Sequence, residues 1–212
     1  MLAVPTRGQI EWGTVTRLEE IQRTYKIDEP IVYQPGNLSV AQTRNLIVER
    51  FMETACDVLV MVDDDIIPPV RCLDAITELC KPGEEWGVLC VPHPFVVKGG
   101  IELGIFDKAD DGDGYVLAQP ISGVNECDAV ATGCIMIRRQ VLDHDRWRMH
   151  VPIFQISDDP RADVTSDDFL FCQYVQACGY RVGYVLNGEA CDHHRIVGLG
   201  HLYEAHRRSV HA

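Results

Sequence analysis

Apolar residues in the first half of this chain alternate between short runs and helical stripes. Leu2 to Val4 is a strand-length apolar run that ends at Pro5-Thr6-Arg7-Gly8. From Thr14 to Tyr25 the spacing becomes helical, with Val15, Leu18 and Ile21 on one face. Ile31 to Tyr33 reads as a second strand before a Pro35-Gly36-Asn37 turn. Ser39 opens a second helix, because Gln42 three residues on completes a capping box. Leu46, Ile47, Phe51 and Ala55 supply its apolar face. Asp57 to Val62 is an unbroken run that suits a strand covered on both faces. Pro69 fits the first turn of a helix reaching about Cys80, which Lys81-Pro82-Gly83 ends. Gly87 to Val91 is a further strand. Alternation of this kind predicts a parallel α/β half.

The pattern then changes. Residues 93–127 are glycine-rich and allow only short strands, with Asp107 to Gly114 as a solvated hairpin turn that lacks calcium-loop spacing. Asp128 to Arg138 is a strand interrupted at Thr132-Gly133. Asp143 to Asp163 is a polar segment holding Trp147 and Phe154, read as a long surface loop. Ser166 caps a helix through Cys178, with Gly179 at its C′ position. Arg181 to Leu186 is the last strand and leads into Cys191-Asp192-His193-His194. A basic tail from Arg195 carries His201, His206 and His211.

Candidate chemistry concentrates at element ends. The run Val58-Leu59-Val60-Met61-Val62 drives straight into Asp63-Asp64-Asp65, and Pro68-Pro69 follow closely. Clustered carboxylates repel, and a divalent cation with a preference for oxygen ligands compensates them. In open α/β sheets ligands lie beyond the carboxyl ends of the strands, where this cluster falls. An acidic turn after a buried strand is the plainer reading. Asp167 and Asp168 stand in the first turn of a helix, where carboxylates also simply complement the dipole. His193 and His194 follow the last strand, and a solvated pair is their plainer reading. Taken together, two carboxylates from one strand end and a late imidazole make a mixed O/N metal site with room for a diphosphate. A carboxylate on a separate helix is then left to act as a base.

Composition narrows the classes. The 212 residues suffice for one domain with a sizeable core. A formal net charge of −13 argues against a surface that coats nucleic acid or an anionic membrane, though a bound metal would still admit a nucleotide substrate. The 9 cysteines are scattered and form no CxxC pair, which predicts reduced thiols in a cytoplasmic protein. No signal segment and no apolar run of membrane-spanning length is visible.

In order along the chain, six segments resemble the GT-A glycosyltransferases of the family 2-like type. Val4-Pro5-Thr6-Arg7 resembles the first strand and its nucleotide-contacting turn. Gln42-Thr43-Arg44-Asn45-Leu46 resembles the Arg-Asn helix before the metal strand. Val60-Met61-Val62-Asp63-Asp64-Asp65-Ile66 resembles the DxD motif with its apolar lead-in. Ala131 to Arg139 resembles the glycine-containing strand that lines the sugar and acceptor site. Ser166-Asp167-Asp168-Phe169-Leu170-Phe171-Cys172 resembles the Glu-Asp segment, and Cys191-Asp192-His193 the late histidine.

The resemblance, over about residues 2–200, implies a GT-A, Rossmann-like nucleotide-diphospho-sugar transferase fold. Its central sheet would be mixed, mostly parallel and flanked by helices. It implies a single catalytic domain over 1–212, with a nucleotide-binding half (1–92), an acceptor and metal half (93–200) and a tail (201–212). Asp63, Asp65 and His193 would hold Mn²⁺ or Mg²⁺. Asp65 is favoured as the direct ligand, Asp63 reaches the ribose or a metal-bound water, and His194 is the substitute for His193. Thr6, Arg7, Arg44, Asp64 and Gly133 would join Asp63 in binding the nucleotide sugar. Asp168 would be the general base of an inverting transfer, with Asp167 as the alternative, since Asp167 stands where the family writes Glu. The donor would be a UDP- or GDP-linked sugar. The acceptor hydroxyl would belong to a glycan, a small molecule or a modified nucleobase. Trp147 would stack on the acceptor or serve as an ordinary anchor. Arg207 and Arg208 would close over the diphosphate or belong to a solvated terminus.

Three other classes use parts of this pattern. A haloacid-dehalogenase-like phosphatase also carries Asp-x-Asp after an apolar strand, but Ile66 follows the motif here and no partner Lys is placed. A nucleotidyltransferase normally has a glycine-rich basic loop near the first strand, and residues 5–13 hold only Arg7, Gly8 and Gly13. A non-catalytic binding module tends to lose a carboxylate or the histidine, and this chain keeps them all.

Overall fold

Seven strands form one central sheet, and five of them run in the same direction. The computed structural model describes residues 1–35, 39–97, 100–110, 114–145, 152–156 and 166–193. In chain order the first elements are β1 (Leu2–Thr6), α1 (Trp12–Tyr25), β2 (Val32–Pro35), α2 (Val40–Met52), β3 (Val58–Val62) and β4 (Ile66–Ile67). A 3₁₀ turn (Cys72–Asp74) leads into α3 (Ala75–Leu79), and β5 (Trp86–Cys90) follows. Then come β6 (Pro94–Val97), β7 (Gly100–Leu103), β8 (Ile105–Lys108), β9 (Tyr115–Leu117), β10 (Gly123–Glu126) and β11 (Ala129–Val130). The chain continues through β12 (Cys134–Arg138), α4 (Arg139–Leu142), α5 (Asp167–Ala177), β13 (Arg181–Leu186) and β14 (Asp192–His193).

The sheet order is β10-β13-β5-β12-β3-β1-β2. Strands β2, β1 and β3 pair in parallel, as the alternating pattern predicts. Strand β12 then enters antiparallel between β3 and β5, and β13 restores parallel pairing beside β5. The expected mixed, mostly parallel α/β sheet flanked by helices is therefore present. Strands from both sides of residue 92 belong to it.

Period-two alternation divides the core. Leu59 and Met61 of β3 face a cluster built with Ile47, Val48 and Phe51 of α2 and Phe171 and Val175 of α5. Val60 and Val62 face the opposite cluster, with Leu18 and Ile21 of α1 and Ala75 and Leu79 of α3. Both faces are covered, which is why β3 is uniformly apolar.

Helix α2 begins as the sequence predicts. The Ser39 hydroxyl accepts the Gln42 N–H at 3.3 Å, and the Gln42 side chain accepts the Ser39 N–H at 3.0 Å. Its buried face differs, however. Thr43, Arg44 and Val48 are buried, whereas Ala55 lies past the helix end and is exposed. Helix α5 starts at the Ser166 cap, and Gly179 follows its end at φ 86°. The helix expected from Pro69 starts only at Ala75, because the Cys72 N–H bonds the Pro69 carbonyl at 3.0 Å and the chain first makes the 3₁₀ turn. Phe154, expected in a surface loop, is fully buried and stacks on Phe171 at 4.5 Å. Asn45 fixes it, donating to the Phe154 carbonyl at 2.8 Å and accepting its N–H at 2.9 Å.

All 9 cysteines are free thiols. Among the described residues no helix is long and apolar enough to cross a membrane.

Replacing Ser39 by Ala removes one side of the capping box. Urea denaturation of Ser39→Ala is expected to show a loss of about 1 kcal/mol with no change in the m-value.

Candidate functional site

Three consecutive aspartates leave the carboxyl end of β3 in three directions. The turn that carries them is held by its backbone. The Asp63 N–H donates to the Gly133 carbonyl at 2.9 Å, and the Ile66 N–H donates back to the Asp63 carbonyl at 3.1 Å. Asp63 turns inward, and both its oxygens accept from one Arg44 nitrogen at 3.0 Å. Asp64 faces the loop after β1. Its carboxylate accepts the Arg7 N–H at 3.2 Å, and its carbonyl accepts the Glu11 N–H at 3.0 Å. Asp65 approaches His193, with 3.6 Å between Oδ2 and Nε2. That approach follows from local pairing, since β14 runs antiparallel to β4 and sets His193 opposite Ile66.

An open cleft of about 720 Å³ lies beyond the ends of β1 and β3. Thr6, Arg7, Gly8, Thr43 and all three aspartates line it. The Thr6 hydroxyl shapes its loop by donating to the Gln9 carbonyl at 3.1 Å and accepting the Gly8 N–H at 3.0 Å.

Arg44 is the meeting point of the site. It is 3% exposed, yet three carboxylates reach it. Besides Asp63, it donates to Asp167 Oδ2 at 2.8 Å and Asp168 Oδ1 at 3.0 Å. The Phe154 ring lies 5.7 Å from its guanidinium carbon. Its Nε is buried without a hydrogen-bond partner among the described residues. Burial opposes its charge, but Asp63, Asp168 and Asp167 more than offset this and raise its pKa. The sequence had assigned Arg44 to seating the nucleotide. The structure buries it among three protein carboxylates, and it is not one of the residues that line the cleft.

The same cluster shifts its acids. Burial pushes the Asp63 carboxyl up to about 6, against the opposing pull of Arg44 and with further upward pressure from Asp168. Burial likewise raises Asp167, again opposed by Arg44. Asp168 Oδ1 also receives the hydroxyl of Thr132, a residue that is 1% exposed. Among the described residues its Oδ2 has no hydrogen-bond partner.

The structure therefore gathers Asp63, Asp64, Asp65, Asp167, Asp168, Arg44 and His193 at one end of the sheet, with Thr6, Arg7 and Gly133 beside them. It does not assemble three metal ligands. Among the described residues no group of three His, Cys, Asp or Glu is arranged to hold an ion. Asp65 and His193 form a carboxylate–imidazole pair, and Asp63 is taken up by Arg44. Mg²⁺ is usually held by one or two carboxylates with water and substrate phosphates, so Asp65 matches that habit and the His193 imidazole departs from it. His194, Trp147, Arg207 and Arg208 lie outside the described residues.

Sequence reasoning missed two residues. Thr132 orients Asp168, and its one signal was its place beside Gly133. His93 stands just past the end of β5, between Pro92 and Pro94, and its Nδ1 is buried without a partner among the described residues. Burial lowers its pKa to about 4. A histidine at the carboxyl end of a buried strand was the available clue.

No protein-family model and no curated protein sequence matches the chain. The structure is similar to that of A197 from STIV, with a TM-score of 0.60 and 16% identity, covering 89% of this chain and 82% of that one. It aligns at a TM-score of 0.48 and 12% identity with a glycosyltransferase involved in the glycosylation of the major capsid of PBCV-1, covering 87% of this chain and 79% of that one. It aligns at a TM-score of 0.47 and 10% identity with a CMP:2-keto-3-deoxy-manno-octonic acid synthetase complexed with CTP, covering 88% of each chain. Identities this low speak to fold alone, and the fold shared with A197 is the mixed, mostly parallel α/β sheet flanked by helices that the sequence predicts.

Truncating Arg44 would leave three carboxylates facing one another without their counter-charge. Arg44→Ala is expected to destabilise the protein by roughly 3–5 kcal/mol, read as a fall in Tm and urea midpoint. Arg44→Lys is expected to recover little, because one ammonium cannot reproduce the guanidinium fork.

Proposed function

We propose that the protein is a glycosyltransferase that moves a sugar from a nucleoside-diphosphate donor to an acceptor hydroxyl, with inversion. One observation carries this reading. The Asp63–Asp65 turn walls the cleft beyond β1 and β3, and the same strand end is tied through Arg44 to the Asp167–Asp168 pair of a distant helix. A diphosphate-binding end and a separate base thus belong to one site.

In this reading the loop after β1 receives the nucleotide. Thr6 and Asp64 hold its backbone in shape, and Arg7 offers charge toward the phosphates. Asp65 and His193 are the residues that would hold Mn²⁺ or Mg²⁺. When bound, the ion supplies electrostatic stabilisation to the leaving diphosphate. Asp63 stays with Arg44 and fixes the height of the turn.

Asp168 is the favoured base. Arg44 and Thr132 both bind its Oδ1, which sets the plane of the carboxylate and leaves Oδ2 to accept a proton. The acceptor oxygen attacks the anomeric carbon as its proton passes to Oδ2, and the bond from that carbon to the diphosphate oxygen breaks. Asp167 is placed to support Arg44. Gly133 leaves room for the His93 ring beside the aspartate turn: a Cβ there would lie 2.6 Å from that ring.

Calorimetric titration of UDP, GDP and their sugar conjugates, with and without Mn²⁺, tests the reading. Metal-dependent binding to the native protein that disappears in Asp65→Ala is the expected result. Failure of every nucleotide to bind in the presence of Mn²⁺ would sink it. Release of pyrophosphate from a nucleoside triphosphate and a sugar phosphate would mark nucleotidyl transfer instead.

Once a donor is found, Asp168→Asn is expected to lower kcat by roughly 10²–10⁴-fold with donor affinity unchanged. A larger loss in Asp167→Asn than in Asp168→Asn would reverse the two assignments.

A further inference from the structure

We infer that a second cavity, further along the carboxyl edge of the sheet, is a binding site for a neutral saccharide. The inference goes beyond the transferase reading and does not rest on it. The topology makes room for two crevices. Ligands of open α/β sheets lie beyond the carboxyl ends of the parallel strands. Here antiparallel β12 divides those ends into two groups, β2-β1-β3 and β5-β13. The aspartate cleft lies beyond the first group. Beyond the second lies a cavity of about 770 Å³, bordered by Val91 just past β5 and by Val185, Asn187 and Glu189 at the end of β13. The two share no lining residue, and β4 runs between Asp65 of the cleft and Pro69 of the cavity.

The cavity has an apolar floor and a polar rim. Cys72, Ala75, Val91 and Val185 are buried and make the floor. Arg17, Arg71, Asp74, Asn187 and Glu189 are partly or fully exposed and make the rim. Several rim groups are held in place by their own contacts. One Asp74 oxygen accepts the Tyr25 hydroxyl at 2.5 Å, and the other meets Arg71 at 2.7 Å. Arg17 donates to the Pro68 carbonyl at 2.7 Å and pairs with Glu20 at 3.1 Å. A guanidinium has more N–H donors than these contacts use, so both arginines keep donors for a ligand.

Charge decides the class of ligand. On the rim Arg17 and Arg71 are matched by Asp74 and Glu189, and each arginine already faces a carboxylate. An anionic ligand would meet the two acids, and a cationic one the two arginines. The aspartate cleft is different, since Asp63, Asp64, Asp65 and Glu11 share its lining with Arg7 as the one basic residue. The balanced rim offers donors and acceptors side by side, which serves hydroxyl groups, because each of them both donates and accepts. The apolar floor suits the C–H face of a sugar ring. A cavity of this size, with a few convergent polar groups over apolar walls, has the build of a small-molecule site.

Saturation-transfer NMR over a concentration series, without added metal or nucleotide, tests the inference. The probes are the methyl glycosides of glucose, galactose, mannose and N-acetylglucosamine, with maltose, lactose and cellobiose. Glucuronate and glucosamine serve as charged controls. At least one neutral probe is expected to bind the native protein. Asn187→Ala combined with Glu189→Ala, both exposed positions, is expected to weaken that binding by roughly 5–30-fold, as for two lost hydrogen bonds. Arg71→Ala, also at an exposed position, is expected to weaken it too. Asp65→Ala is expected to leave it unchanged, since Asp65 lines the cleft and not the cavity.

Failure of every neutral probe to bind the native protein overturns the inference. Tighter binding of glucuronate or glucosamine than of the neutral sugars overturns it as well. So does binding that survives the rim variants, and its disappearance in Asp65→Ala would place the sugar in the cleft. No nucleotide or metal takes part in this test. A protein that binds sugar here and no nucleotide in the calorimetric titration would keep this site and lose the transferase reading.

Discussion

A single buried cation holds this site together. The Arg44 guanidinium lies among Asp63, Asp167 and Asp168, which come from a strand end and a helix start 19, 123 and 124 residues away. Three carboxylates so placed repel one another and lose solvation on burial. The guanidinium has enough donors in a fixed plane to serve all of them, which an ammonium group does not. Thr132 then fastens to the same Asp168 oxygen, so the loop before β12 is drawn into the cluster. Strand β3, helix α5 and the β11–β12 loop are thereby tied to one another at the site, in addition to their backbone pairing and core packing. Arginine here is an organiser of acids, with Asn45, its chain neighbour, anchoring Phe154 underneath.

The three aspartates show how one turn divides its labour. Identical side chains at successive positions reach Arg44, the loop after β1 and His193. The division follows from backbone geometry, since the turn is closed by bonds from Asp63 to Gly133 and from Ile66 to Asp63. Of the three, Asp65 is the one turned toward the His193 imidazole. Beside this acidic edge the cleft floor contributes Arg7 as its nearby positive side chain among the lining residues. Such a surface has a strong electrostatic demand for cations, which fits anionic substrates that arrive with a metal.

Much of the fold was legible because local chemistry and tertiary structure agree. Ser39 with Gln42, and Ser166 with Gly179, are helix boundaries written in side-chain donors, acceptors and backbone freedom. Strand β13 spans the residues expected from its apolar run. The gathering of Asp63–Asp65, Asp167–Asp168 and His193 at one end of the sheet was legible too, as a shared position at element ends. Other features depend on contacts that no local signal carries. The two-residue pairing of β4 with β14 exists because distant segments meet. Arg44 was expected to seat the nucleotide, since a helix periodicity count cannot show that three acids will surround it. Phe154 sits in a polar stretch, and its burial is owed to Asn45 and Phe171. His93 has no motif around it; its meaning comes from Gly133, forty residues later.

Strand β12 has a bearing on how such a chain comes into being. It is inserted between β3 and β5, although more than forty residues separate it from the nearer of them in sequence. A nascent polypeptide emerging from its amino end therefore displays β3 and β5 as two unsatisfied, strongly apolar borders until Cys134–Arg138 arrives. Sheet closure is a late, non-local event, the kind that slows folding and exposes intermediates to self-association. The aspartate turn inherits that timing, because the Gly133 carbonyl that closes it is delivered with the same strand.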